Sequence, residues 1–139
     1  GKFFDRHAEF YVSDNPNKTL YNQPVKSITL YYLEGTLSKT KYTLEEDISD
    51  DLIASLGSFT IKGYDSLNRK LFQTEDIIAI RDHKKILNKK LNNYELKWDR
   101  GEKLILVRVD KTEKKKRVEY IESLKNYEST FKSVEGASF

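Results

Sequence analysis

The chain has 139 residues, a length that suits one domain with its own core. It holds 25 Lys and Arg against 22 Asp and Glu, a net charge of +3 that is too mild by itself to mark a nucleic-acid binder. The absence of cysteine excludes disulfides, thiolate metal sites and cysteine nucleophiles. No apolar run approaches the roughly 18 residues of a membrane span, and no signal-peptide pattern is visible.

In chain order, His7 to Ser13 carries Phe10, Tyr11 and Val12 and reads as a strand. Asp14, Asn15, Pro16 and Asn17 are turn chemistry, with loop composition continuing to Pro24. Ser27 to Glu34 is a strong strand. Ile28, Leu30 and Tyr32 share one face and Thr29, Tyr31 and Leu33 the other, so both faces are expected to be at least partly covered. Gly35 ends it, and Lys39 to Glu45 forms the next strand. Ile48, Leu52, Ile53 and Leu56 recur at helical spacing, with Ser49 placed to cap and Gly57 to stop a helix of about two turns. Ser58 to Tyr64 returns to strand; Asp65 to Asn68 is a hairpin turn and Arg69 to Gln73 its return. The stretch from Thr74 to Asn92 is ambiguous: Ile77, Ile78 and Ile80 favour a strand through Arg81, then a basic loop or short helix, while Ile77, Ile80, Leu87 and Leu91 also fit a helix.

Tyr94, Leu96 and Trp98 alternate with Glu95 and Lys97 up to the turn Asp99 to Glu102. The return, Lys103 to Val109, puts Ile105, Val107 and Val109 on one face, making the clearest hairpin of the chain. The last element is expected to be a helix. Asp110 and Glu113 have capping-box spacing, and Val118, Ile121, Leu124, Tyr127, Phe131 and Val134 form an apolar stripe that Gly136 ends. No internal repeat or second domain is visible, so residues 1–139 read as one unit.

Catalytic chemistry finds little footing. His7 and His83 lack ligand-like spacing to carboxylates, and there is no phosphate-binding glycine loop or nucleophile elbow. The acidic run Glu45, Glu46, Asp47, Asp50 and Asp51 lacks the alternation and central glycine of a calcium loop; acidic groups at a helix start complement its dipole. No catalytic residue, metal site or cofactor is therefore assigned. The aromatic residues read as core rather than as a stacking platform for single strands, because Tyr94, Leu96 and Trp98 alternate like a buried face.

Charge is unevenly spread. Residues 81 to 118 hold 14 basic and 6 acidic groups. Two clusters stand out: Lys84, Lys85, Lys89 and Lys90, then Lys111, Lys114, Lys115, Lys116 and Arg117. On the expected helix the second cluster occupies the first turns, where the dipole is already positive, so an anionic partner there would relieve the conflict.

The fold expected from this order is α+β: about seven mainly antiparallel strands in a roll or two packed sheets, capped by a C-terminal amphipathic helix. Strand Lys103 to Val109 followed by a helix carrying Val118, Tyr120, Ile121 and Leu124 resembles the pleckstrin-homology-like fold. The resemblance implies phosphoinositide contacts near the first, third and sixth inter-strand loops. Here the third, Glu46 to Gly57, is acidic and the first offers only Lys18 and Lys26. It also implies that both lysine clusters meet at the opposite end, beside the helix start.

Three functions follow as expectations. The first is a non-catalytic binding module that contacts a protein partner. The second is a peripheral module using the basic segment on anionic lipid or another polyanion. The third is a small bacterial extracytoplasmic or immunity-type domain that recognises one protein. The compartment stays open, with the cytoplasm or a membrane periphery slightly favoured over an extracytoplasmic site.

Overall fold

The computed structural model describes residues 8–64, 70–75 (backbone only), 93–111 and 116–125. Its strands are β1 (Ala8–Asp14), β2 (Thr19–Leu20), β3 (Gln23–Leu33), β4 (Thr36–Leu44), β5 (Thr60–Tyr64), β6 (Lys70–Glu75), β7 (Asn93–Arg100), β8 (Lys103–Asp110) and β9 (Arg117–Leu124). Among the described residues there is one helix, α1 (Ser49–Leu56), between β4 and β5. The strands form an open antiparallel sheet in the order β1-β3-β4-β9-β8-β7-β5-β6, with β2 beside β3.

Tight turns set the registers. Tyr21 and Asn22 join β2 to β3, and Glu34 and Gly35 join β3 to β4; all four have positive φ, as a two-residue hairpin turn of the primed kind requires. Gly101, at φ 79°, opens the turn between β7 and β8, where Asp99 Oδ1 accepts a hydrogen bond from its N–H at 3.0 Å. Loop composition from Asn15 to Pro24 thus conceals a hairpin. Asn15 N–H donates to the Lys26 carbonyl and Val25 N–H to the Lys18 carbonyl, so β1 and β2 flank the same side of β3 across an outward step at Asn15 to Asn17.

The expected helix at Val118 is not formed. Arg117–Leu124 is a strand, paired with β4 on one side and β8 on the other. The reason is tertiary. β9 is the strand that joins the two halves of the sheet, and as a helix it would leave β4 and β8 each with an open edge of unpaired backbone groups. Its β-branched and aromatic residues suit the pleat. Spacing by threes, which shares a helix face, splits across a strand: Val118 and Tyr120 point into the core, while Ile121 faces the other way. The feature that most resembled the pleckstrin-homology-like order therefore stands on a strand. Tyr127, Phe131 and Val134 lie outside the described residues.

The core sits between α1 and one face of the sheet. Val107 and Val109 are fully buried there, with Ile105 packed against them as the alternation predicts. Ile48, Leu52 and Ile53 come down from the helix onto Tyr94, Leu96, Trp98, Ile61 and Val118. Both ends of α1 are held by β7. At the start, Tyr94 Oη donates to Asp47 Oδ2, and Asp47 Oδ1 accepts from Ser49 N–H at 2.9 Å; the N-cap position is Ile48 rather than Ser49, and Asp47 just before it takes the first helical N–H. At the end, Trp98 Nε1 donates to the Gly57 carbonyl at 3.1 Å and an Arg100 guanidinium N–H to the Leu56 carbonyl at 3.4 Å. Four residues of strand span about 13 Å and eight of helix about 12 Å, so Tyr94 and Trp98 are spaced to grip the two ends of one short helix.

On the opposite face of the central strands, beside Leu104, Leu106 and Ile121, one row across the ladder alternates in charge. Across the ladder Lys62 lies opposite Glu95, Glu95 opposite Arg108, and Arg108 opposite Glu119. Lys41 Nζ reaches Glu119 at 3.5 Å, and the Arg108 guanidinium stacks 4.5 Å from the centre of the Tyr64 ring. Opposite charges in such positions favour this register over a shifted one.

Candidate functional site

The helix-bearing face continues past α1 toward β1, where no described element lies over it. By register, Tyr11 and Ser13 of β1, Ile28 and Leu30 of β3, and Thr40 and Tyr42 of β4 share this face. With Val12, Leu37 and the step residues Pro16 and Lys18 they line a groove of about 490 Å³. Its inner wall merges with the core through Ile28 and Tyr42. Its outer rim is open: Tyr11 is 52% exposed, Val12 54% and Leu37 44%. Lys18 carries the one charge in the lining. Volume and apolar character fall in the range of ligand or side-chain acceptor sites.

The rim is also the end of the sheet. β1 pairs with β3 over seven consecutive residues without a register shift, and among the described residues no strand lies on its other side. The strand contains no proline and no lysine, two of the usual means of blunting an edge. The Tyr11 and Tyr32 rings meet edge to face at 5.7 Å, and Tyr11 Oη donates to Glu9. That bond, with the Glu9 charge behind it, raises the phenol above its usual value. Tyr11 thus sits at the margin with its ring against Tyr32 and its hydroxyl on Glu9.

A second polar cluster has a structural part. Asp47, Ser49 and Tyr94 meet at the α1 start, and Lys111 Nζ reaches Asp47 Oδ2 at 3.1 Å. Burial alone would raise the Asp47 carboxyl; bonds from Ser49 and Tyr94, and the Lys111 ammonium, outweigh it and hold the group below its usual value. Burial first, then the Asp47 carboxylate, pushes the Tyr94 phenol far up. Ser49 and Tyr94 are 1% and 0% exposed, so no substrate reaches the hydroxyls. The cluster fastens a helix.

The basic segment divides. Lys84, Lys85, Lys89, Lys90, Lys114 and Lys115 lie outside the described residues, as do His7 and His83. Lys111 and Lys116 flank the β8–β9 connection and turn toward the acidic run: Lys111 to Asp47, and Lys116 Nζ to Glu46 Oε2 at 3.1 Å. Arg117 opens β9 and sits 3.7 Å from Glu119. The conflict with a helix dipole does not arise at Arg117, because no helix runs there. Asp50 and Asp51 occupy the first turn of α1, as dipole complementarity requires.

The groove was not visible in the sequence. Its one advance signal was the two-faced apolar pattern of Ile28 to Leu33, which does not say which end of the strand stays uncovered. Compared with known proteins, the chain matches no family model, no curated protein and no solved structure.

Proposed function

We propose that this chain is a non-catalytic interaction module that takes an extended segment of protein along β1. The segment adds a strand to the open edge and lays alternate side chains over the groove. The carrying observation is the coincidence, at one margin, of an edge strand without proline or lysine and half-exposed Tyr11 and Leu37. Strand addition supplies affinity through main-chain bonds and specificity through pockets for every second side chain. Groove and edge lie at the spacing this mode needs: Tyr11 and Ser13 point to the groove face, and the bond from Asn15 N–H to the Lys26 carbonyl sets the alternation so that Ala8, Phe10, Val12 and Asp14 turn their backbone groups to the edge. Lys18 favours a segment with an acidic side chain near its end. The sealed hydroxyls of Ser49 and Tyr94 support a non-catalytic reading.

The described part of the basic segment lends less to an anionic-surface reading, since Lys111 and Lys116 already face Asp47 and Glu46. Selection of strand-forming peptides from a displayed library tests the proposal. Selected peptides should perturb the β1 amides. Leu37→Asp and Tyr11→Ala should each weaken them about tenfold or more, as truncation of an interface anchor does. Peptides indifferent to both changes, or substrate turnover lost on altering a groove residue, would count against it.

A further inference from the structure

The edge that would take a partner strand is complementary to itself. We propose that the partner is a second copy of this chain, paired β1 to β1 in antiparallel sense about a twofold axis at Tyr11. This rests on the strand-addition reading and names its occupant.

The argument is one of register. A twofold axis perpendicular to the sheet keeps each face continuous, so residues opposite one another must share a face. An axis between two residues would set one face against the other and is excluded. An axis through Tyr11 pairs all seven residues of β1. Moving it to Phe10 or Val12 leaves the far end of each strand unpaired, and moving it to Glu9 sets Glu9 against Glu9. Centred on Tyr11, Glu9 meets Ser13 of the second copy, Asp14 meets Ala8, and Phe10 meets Val12. No like charges are opposed, and each acid faces a small side chain. The apolar residues match on both faces. Val12, 54% exposed in the single chain, is covered by Phe10 of the second copy; Tyr11, 52% exposed, meets Tyr11 on the groove side. Closed pairing also removes the open edge, which an unlimited strand-adding surface would leave as an aggregation template.

The test is the mass of the full chain in solution. Sedimentation should show a dimer that dissociates on dilution. Tyr11→Lys alone and Tyr11→Glu alone each place like charges directly opposite and should weaken self-association about tenfold or more. Mixing the two variants should restore the dimer, because the central pair is then of opposite charge. Independently, hydrogen exchange of the wild-type amides from Ala8 to Asp14 should slow as protein concentration rises. A wild-type chain that stays monomeric at its highest soluble concentration overturns the proposal, as does a dimer of unchanged affinity in both single variants. A monomer that still binds selected strand-forming peptides would remove the second copy while leaving strand addition standing. A monomer that binds none would remove both.

Discussion

The same face of one sheet has two fates. Over β9, β8, β7 and β5 it lies under α1, and Trp98, Leu96, Val107 and Val118 are sealed. Over β1 and the outer parts of β3 and β4 it carries residues of the same kind, yet Tyr11 and Leu37 remain about half exposed. Strand chemistry does not separate these regions, since both alternate and both are rich in aromatic and branched side chains. What separates them is the reach of an eight-residue helix that β7 pins at both ends. A sheet wider than its covering helix keeps an apolar margin, and a margin that ends in an edge strand is suited to association.

The comparison breaks most sharply at Trp98. Its replacement by Ala should cost about 3–5 kcal/mol in urea unfolding, through lost burial and a cavity beneath α1, and it also frees the Gly57 carbonyl. A loss under 1 kcal/mol would mean that the covered half is not the stabilising half.

The next effect lies at the other end of the helix. Asp47→Asn should cost about 1–3 kcal/mol, because Tyr94 and Lys111 lose a charged acceptor. The folded Asp47 value is depressed, so its contribution is present above the unfolded carboxylate value, about 3.9, and is lost as pH falls through the folded one. Acid titration of stability should therefore be shallower in Asp47→Asn below about pH 4. Tyr94 and Tyr120 are shifted upward, in both cases first by burial. Their contribution is whole below the unfolded phenol value, about 10, and falls as pH rises through their folded values. Tyr94→Phe should flatten the alkaline limb, and an unchanged limb would place the sensitivity elsewhere.

Smaller still is Lys116→Glu. The pair with Glu46 is exposed on both sides, so its loss and the new repulsion should cost no more than about 1 kcal/mol and fade at high salt. The smallest expected effect on stability is at Tyr11. Tyr11→Ala should shift unfolding by about 0.5 kcal/mol or less while weakening association strongly. A large stability loss there would show that the margin is core after all, and the contrast between the two regions would vanish.

Legibility in the sequence followed the range of the forces involved. The hairpin from Tyr94 to Val109 was readable because alternation and a glycine turn lie within one short window, and its inward residues are the buried ones. α1 was readable from its spacing and from Gly57, which has φ 75° at the helix end. β2 was missed because its turn uses Tyr21 and Asn22 rather than a glycine. β9 was misread because Val118, Ile121 and Leu124 fit a helical stripe, whereas the partners that make a strand of them, β4 and β8, are distant or lie across a loop.

By itself the sequence determined which segments alternate, where two of the hairpin turns fall, and that a short helix follows Ile48, because these depend on backbone sterics and on side-chain period along the local chain. Only the tertiary structure decided that Arg117–Leu124 completes a ladder, that Lys111 and Lys116 lean on Asp47 and Glu46, and that Tyr11 and Leu37 stay about half exposed. Strand neighbours, ion-pair partners and the limit of a covered face are set by contacts between residues far apart in the chain. Local pattern can permit such contacts, and the free energy of the whole assembly selects among them.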